Sequence, residues 1–249
     1  MTYFSGQGRV FLAQRDPNGN PLGLRWVGNV PNLSVRLSVE TFEHKEATSG
    51  LRLNDVQMIT GLSGELACTL EALNPDNLEL ALYGVTESVT AGTVAAETLP
   101  AGIVAGETRL LAHQFVSAVA VLDANAQTLP AANYSVHAGP GSISFNDLST
   151  GGPYTQPFSV AYAHAPARRV GMFRSAAPEV WLRFDGINTA DRNRPVLLDL
   201  YRVAINPLEE LSLISDELLR MDLSGRVLAD ATKPLGGALG QFGRMVLQG

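Results

Sequence analysis

The chain has 249 residues, 45% hydrophobic and 17% charged, enough to bury a sizeable core in one large domain or in a domain carrying an insertion. Its formal net charge of −6 makes it a poor candidate for wrapping DNA through phosphate contacts, and its single cysteine, Cys68, excludes an internal disulfide framework and a cysteine-rich zinc site. No apolar run approaches the roughly 18–20 residues of a membrane helix, and MTYFSGQGRVFLAQ lacks the basic start and long apolar run of a secretory signal, so synthesis in the cytoplasm is expected.

Short apolar runs punctuated by Gly, Pro, Asn and Asp predict a mainly β chain. Residues 8–15 read as a first strand, DPNGNP at 16–21 as a turn and Arg25–Val27 as a short return strand. Over Leu33–Glu40, Leu33, Val35, Leu37 and Val39 alternate with Ser34, Arg36, Ser38 and Glu40. Thr41–Val56 carries both charge signs and few apolar residues. It is long for a hairpin turn and is therefore either disordered or functional. Leu62–Glu71 is another strand, in which alternation puts Cys68 with Leu66 and Leu70 as a buried core thiol. A short helix is predicted over about 75–83: Asn74 can cap it, Pro75 fits its first position and Gly84 fits the left-handed stop.

Thr90–Gly106, rich in Ala, Gly and Thr, reads as a loop. Residues 108–122 fit a strand or a helix, with strand favoured for Phe115–Leu122. Tyr134–Val136, Ser142–Phe145 and Phe158–Ala163 read as short strands. Residues 93–165 have more alanine and less charge than their flanks, like an elaboration within one β-domain. In Glu179–Pro207 two strands join through a polar turn. Val180, Leu182 and Phe184 alternate with Trp181, Arg183 and Asp185, and neither face is cleanly polar. Leu211–Ile214, Leu218–Leu228 and Arg244–Leu247 read as strands, the last after a glycine-rich loop at Lys233–Gly243.

The residues supply no convincing catalytic, cofactor or metal constellation, so a non-enzymatic role is expected. DPNGN has its glycine fourth, and Val27 stands where a calcium loop needs glutamate; it reads as a β-turn. His44, His113, His137 and His164 form no HxxxH or HExxH, and no GxSxG elbow is present. The pairs Glu209-Glu210 and Asp216-Glu217 read as solvated or interface charge, because adjacent strand residues face opposite ways. The glycines from 236 to 243 precede no GK[ST]. Of 18 basic residues only Lys45 and Lys233 are lysine. Codon bias and interface use of arginine both account for that excess.

Several pieces together resemble the major tail tube proteins of long, non-contractile-tailed bacteriophages. They are YFSGQGRVFLAQRDPNGNP, LRWVGNVPNLSVRLSVETFEHKEATSGLRLNDV, TLEALNPDNLELALYG, WLRFDGINTADRNRPVLLDLYRV with LSLISDE, and GRVLADATKP with GQFGRMVL. They cover most of the chain except about 86–130. The resemblance implies a single tail tube domain over 1–249, with an elaboration or insertion at about 86–165. Its fold would be a β-sandwich or barrel with a short flanking helix and a long inter-strand loop at about 43–56. It implies hexameric rings, with inner sheets merging into one barrel, stacked into the tube of a virion tail assembled in the host cytoplasm. The partners implied are further copies of the chain, the tape measure, tail terminator and distal tail proteins, and DNA as passing cargo during genome ejection. The resemblance also implies an acidic lumen, and a formal charge of −6 on each of six copies offers charge that could face inward. Glu43, His44, Lys45, Glu46, Arg52 and Asp55 become candidate ring-to-ring contacts. Arg183, Asp185, Asp199 and Arg202 become candidate subunit-interface or lumen charges. The alternatives are a tube subunit of a contractile injection system, normally a shorter sequence, and a β-sandwich carbohydrate- or protein-binding module. For the latter, Trp26 and Trp181 are far apart and read as core or interface.

Overall fold

The computed structural model describes residues 3–248. Sixteen strands and one α-helix follow in order: β1 Gly6–Gln14, β2 Arg25–Trp26, β3 Asn32–Lys45, β4 Asn54–Leu70, α1 Pro75–Ala81, β5 Val85–Val89, β6 Gly92–Thr98, β7 Thr108–Leu110 and β8 Val116–Leu122. Then come β9 Tyr134–His137, β10 Ser142–Phe145, β11 Ser159–His164, β12 Ala167–Gly171, β13 Glu179–Asn188, β14 Arg194–Ile205, β15 Met221–Val227 and β16 Gly243–Leu247. The chain is mainly β, with antiparallel sheets and one short helix. It divides into two compact units, one made of the residues up to Val85 and from Val170, the other of Thr86–Arg169. β5 and β12 pair as a two-stranded ribbon.

The first unit is an eight-stranded sheet in the order β2-β1-β13-β14-β15-β4-β3. It forks at β14: residues 196–200 pair with β16 and residues 203–205 with β15. Val10, Leu12, Leu66, Leu70, Leu182, Val203, Ile205 and Met221 fill its core. Along β1–β13–β14 the opposite face is also covered, by a smaller cluster of Ala13, Trp181 and Tyr201. The absence of a clean polar face in Glu179–Pro207 follows from burial on both sides. Trp181 lies in that cluster, whereas Trp26 is exposed with the Arg9 guanidinium 5.8 Å from its ring centre. Cys68 is buried, and desolvation pushes its thiol up to about 12.

The helix forms where its signals predict but ends at Ala81. Asn74 accepts from the Asn77 amide at 2.9 Å, and Pro75 occupies the first turn. Asn77 is fully buried and donates to the carbonyls of Val27 and Ala72, both at 2.8 Å, pinning the helix to the chain around β2 and β4. The left-handed residue after the helix is Tyr83 (φ 49), one before the expected glycine. Gly84 is needed for space instead: a Cβ there would stand 2.8 Å from the Gly171 carbonyl oxygen.

Three strand expectations change. The loop expected at 43–56 contracts to residues 46–53, because β3 and β4 extend into it as paired strands. Leu211–Ile214 forms no strand, and the next one starts at Met221 instead of Leu218. The edge of β4 from Gly64 to Leu70 is already taken by Met221–Val227. Thr90–Gly106 contains β6, which finds an edge of β11 to pair with.

The second unit has two three-stranded sheets, β7-β10-β9 and β6-β11-β8. Its own core holds Val121, Leu129, Ile143, Val160 and the stacked pair Phe145–Phe158, with ring centres 5.3 Å apart. The buried Asp123 carboxylate accepts from the amides of Thr155 (3.0 Å), Gln127 (2.8 Å) and Asn125 (2.8 Å), which holds it below the usual range despite burial. Two separate cores make distinct unfolding transitions the expectation. Phe145→Ala, which removes a fully buried ring, should cost the second unit about 3–5 kcal/mol. Denaturant unfolding followed by near-ultraviolet dichroism should show one transition moving while that of the Trp181 core stays; an equal shift of both would contradict separate cores.

Candidate functional site

Two features of the first unit collect the candidate residues: a projecting hairpin and a charged frame. The hairpin is the distal part of β3 and β4. β15 reaches only as far as the Val227–Gly64 pair. Beyond it, Ser38–Lys45 and Asn54–Ser63 pair with each other and, among the described residues, with no other strand. Register shifts between Glu40 and Thr41 and between His44 and Lys45 bend the arm and break its alternation. One face continues the core stripe of Val35 and Leu66 outward as Leu37, Val39, Leu62 and Ile59, now exposed at 76%, 53%, 61% and 67%. The other carries Phe42 opposite Met58, and Val56 opposite His44. Large apolar side chains therefore stand in water on both faces.

The tip is ordered by one carboxylate. Glu46 accepts from the hydroxyls of Ser49 and Thr48 and from the amides of Ser49 (2.8 Å) and Thr48 (2.6 Å), with Leu53 N at 3.3 Å. These bonds, led by the Ser49 hydroxyl, hold it well below the usual carboxylate range. Gly50 (φ 80) and Arg52 (φ 50) make the turn with left-handed backbones. Below the tip, His44 Nδ1 lies 2.6 Å from Asp55 Oδ1, and Asn54 donates to Glu43 at 3.0 Å. The structure thus brings Glu43, His44, Lys45, Glu46, Arg52 and Asp55 together at the far end of the arm, four on strands and two in the turn.

The second set is not a single surface. Asp199 is 1% exposed and accepts from Arg183 Nε (2.7 Å) and Nη2 (2.9 Å), Arg244 Nε (3.0 Å) and Trp181 Nε1 (3.4 Å). Burial pulls this carboxyl up, but the hydrogen bonds from Arg183 and Arg244 win, and it lies below its ordinary value. The Asp199 bond in turn raises Arg183. Arg202 grips Glu179 with two bonds of 2.7 and 2.8 Å. Arg15 reaches Asp230 at 2.8 Å, and the Lys233 ammonium sits 5.6 Å from the Trp181 ring and 5.7 Å from Tyr201. Arg183, Asp199 and Arg202 are thus engaged within the chain, tying β13, β14 and β16 together; Asp185 is exposed, opposite Arg9 in register.

Arg183 and Asp199 are direct cross-strand partners, so the hairpin register alone carries that pairing. Arg244, Arg15 and Asp230 join from distant segments and leave no local signal. No group of three or more His, Cys, Asp or Glu that could hold a metal occurs among the described residues, and no helix there is long and apolar enough to cross a membrane.

The chain matches, over residues 3–246, the model of a family described as protein of unknown function UCP028589. It belongs to that family. No curated protein matches it. The matched stretch takes in the arm, the second unit and the frame, so all three lie within the span the family defines.

The frame makes a pH-dependent contribution. Asp199 is held below its ordinary value in the folded chain, so its stabilisation is complete above about pH 4 and is lost as pH falls through the lowered value. Asp199→Asn should cost about 2–3 kcal/mol near neutrality, at the low end for a buried pair because both arginines keep about a third of their surface in water. It should also flatten the acid side of the stability curve in urea titrations carried below about pH 4. Equal acid slopes for both proteins would contradict the assignment. At the tip, Glu46→Ala should speed amide exchange across 48–53 without changing exchange in β15.

Proposed function

We propose that this chain is a structural, self-assembling subunit of a bacteriophage tail tube, closing into hexameric rings that stack around the path of the genome. One observation carries the reading: the arm of β3 and β4 leaves its sheet with both edges open and apolar side chains on both faces. A two-stranded ribbon is marginal in water by itself, and a long exposed edge is a template for pairing with another chain. A monomer gains nothing from such a device, whereas copies joined head to tail bury it and, on closing, abolish the edges.

The charge distribution fits the same role. Glu43, Lys45, Arg52 and Asp55 cluster at the far end of the arm and supply both signs for contacts between rings. The frame around Asp199 has its partners inside the chain and acts as a brace for the wall. The virion tail is then the site of action, with tape measure, terminator and distal tail proteins meeting the ends of the tube.

Purified protein imaged by negative stain should give six-fold rings or tubes as concentration rises. Leu37→Asp combined with Ile59→Asp should leave the β dichroism intact, because both side chains are exposed, and should abolish the assemblies. Normal tubes from the double variant would refute a role for the arm.

A further inference from the structure

The sheet β3–β4–β15 has a second face, and its composition is unlike that of the arm. Opposite the core side, β3 presents Asn32, Ser34, Arg36 and Ser38; β4 presents Thr69, Ala67, Glu65 and Ser63; β15 presents Asp222, Ser224 and Arg226. Large apolar residues resume on this face in the arm, at Phe42, Met58 and Val56. The short polar groups satisfy one another across the strands: Ser38 with Ser63 (2.6 Å), Thr69 donating to Asp222 (2.5 Å) and Asn206 to Ser224 (3.0 Å). Ser34, Arg36, Glu65, Asn206, Ser224 and Arg226 line a shallow depression of about 350 Å³.

The charges are ordered by register. Arg36 lies directly opposite Glu65 on one side, and Arg226 lies directly opposite Glu65 on the other. Side chains so placed stand about 4.5–5.5 Å apart at Cβ, and opposite charges there attract. Two arginines flanking a depression would grip phosphate well. A carboxylate in register with both offsets part of their charge across the strands.

We infer that this hydroxyl-rich face is the wall past which DNA moves, and that Glu65 silences Arg36 and Arg226 so that the wall does not hold the phosphate backbone. The inference rests on the tail tube reading and sharpens it. The wall is close to neutral, with Glu40, Glu65 and Asp222 against Arg36 and Arg226, instead of strongly acidic. Slippage comes from charges cancelled locally in register, not from a field of one sign.

Two measurements separate the parts. In the free full-length chain, Glu65→Gln should bind a short DNA duplex about tenfold more tightly than wild type at low salt, and lose about tenfold between roughly 50 and 200 mM salt, as two released phosphate contacts require. Glu40→Gln makes the same charge change on the same face beside Gly61 and away from both arginines, and should stay near wild type. No gain for Glu65→Gln, or an equal gain for Glu40→Gln, overturns the silencing role whether or not tubes form. In assembled tubes, Ser34→Cys should react with a small maleimide and resist one carried on a bulky polymer, while the free chain reacts with both; Cys68 is buried and silent. Tubes open to the bulky reagent overturn the placement on the wall. A chain that forms no tubes overturns the reading on which that placement rests.

Discussion

An uncovered ribbon governs this molecule. β3 and β4 share fourteen register pairs, but β15 supports only the inner six of them. The outer eight keep their backbone bonds between two strands and, with Leu37 at the boundary, leave Val39, Ile59 and Leu62 in water. At roughly 25 cal/mol per Å² of apolar surface, covering four such side chains yields several kcal/mol, comparable with the whole stability of a small domain. In the proposed tube that burial is the driving force for association, and it is non-directional. In that proposal direction comes from the open strand edges, which accept a partner only in register, and from the mixed charges at the tip.

The remainder of the first unit braces the base of the arm. The base of the arm is clamped by β15, which packs Leu223 and Met221 into the core beside Cys68 and Leu70. Behind it, β13 and β14 are buried on both faces, and the Arg183–Asp199–Arg244 cluster staples β16 to them. A buried carboxylate with fewer partners would be a liability; with four hydrogen bonds it fixes the relation of three strands. The second unit keeps its own core and its own network of turns, so its packing does not depend on the frame.

Much of this was legible in the sequence, and the misses have physical causes. Asn74, Pro75 and the apolar stripe located the helix, yet the left-handed turn fell on Tyr83 because Gly84 is held for its missing Cβ beside the Gly171 carbonyl. The period-two signal gave the two strands of Glu179–Pro207, and the missing polar face reflected burial on both sides. In 43–56 the same signal failed. Bulges at Glu40/Thr41 and His44/Lys45 shift the alternation, and the mixed charges looked like a loop. Leu211–Ile214 has the pattern of a strand but pairs with none, whereas the weakly patterned Gly92–Thr98 pairs with β11. Arg183, Asp199 and Arg202 stand out in the sequence as interface or lumen charges; the β13–β14 hairpin pairs Arg183 with Asp199 and sets Glu179 beside Arg202, whereas Arg244 joins from a distant segment that no local pattern carries.

Amide hydrogen exchange across residues 38–45 and 54–63, compared between dilute protein and assembled particles, addresses whether the arm is an assembly element. In dilute solution these amides should exchange far faster than those of β13. In the particles they should slow by orders of magnitude, with residues 221–227 little changed. Particles that form while the arm keeps its fast exchange would contradict assembly through the ribbon.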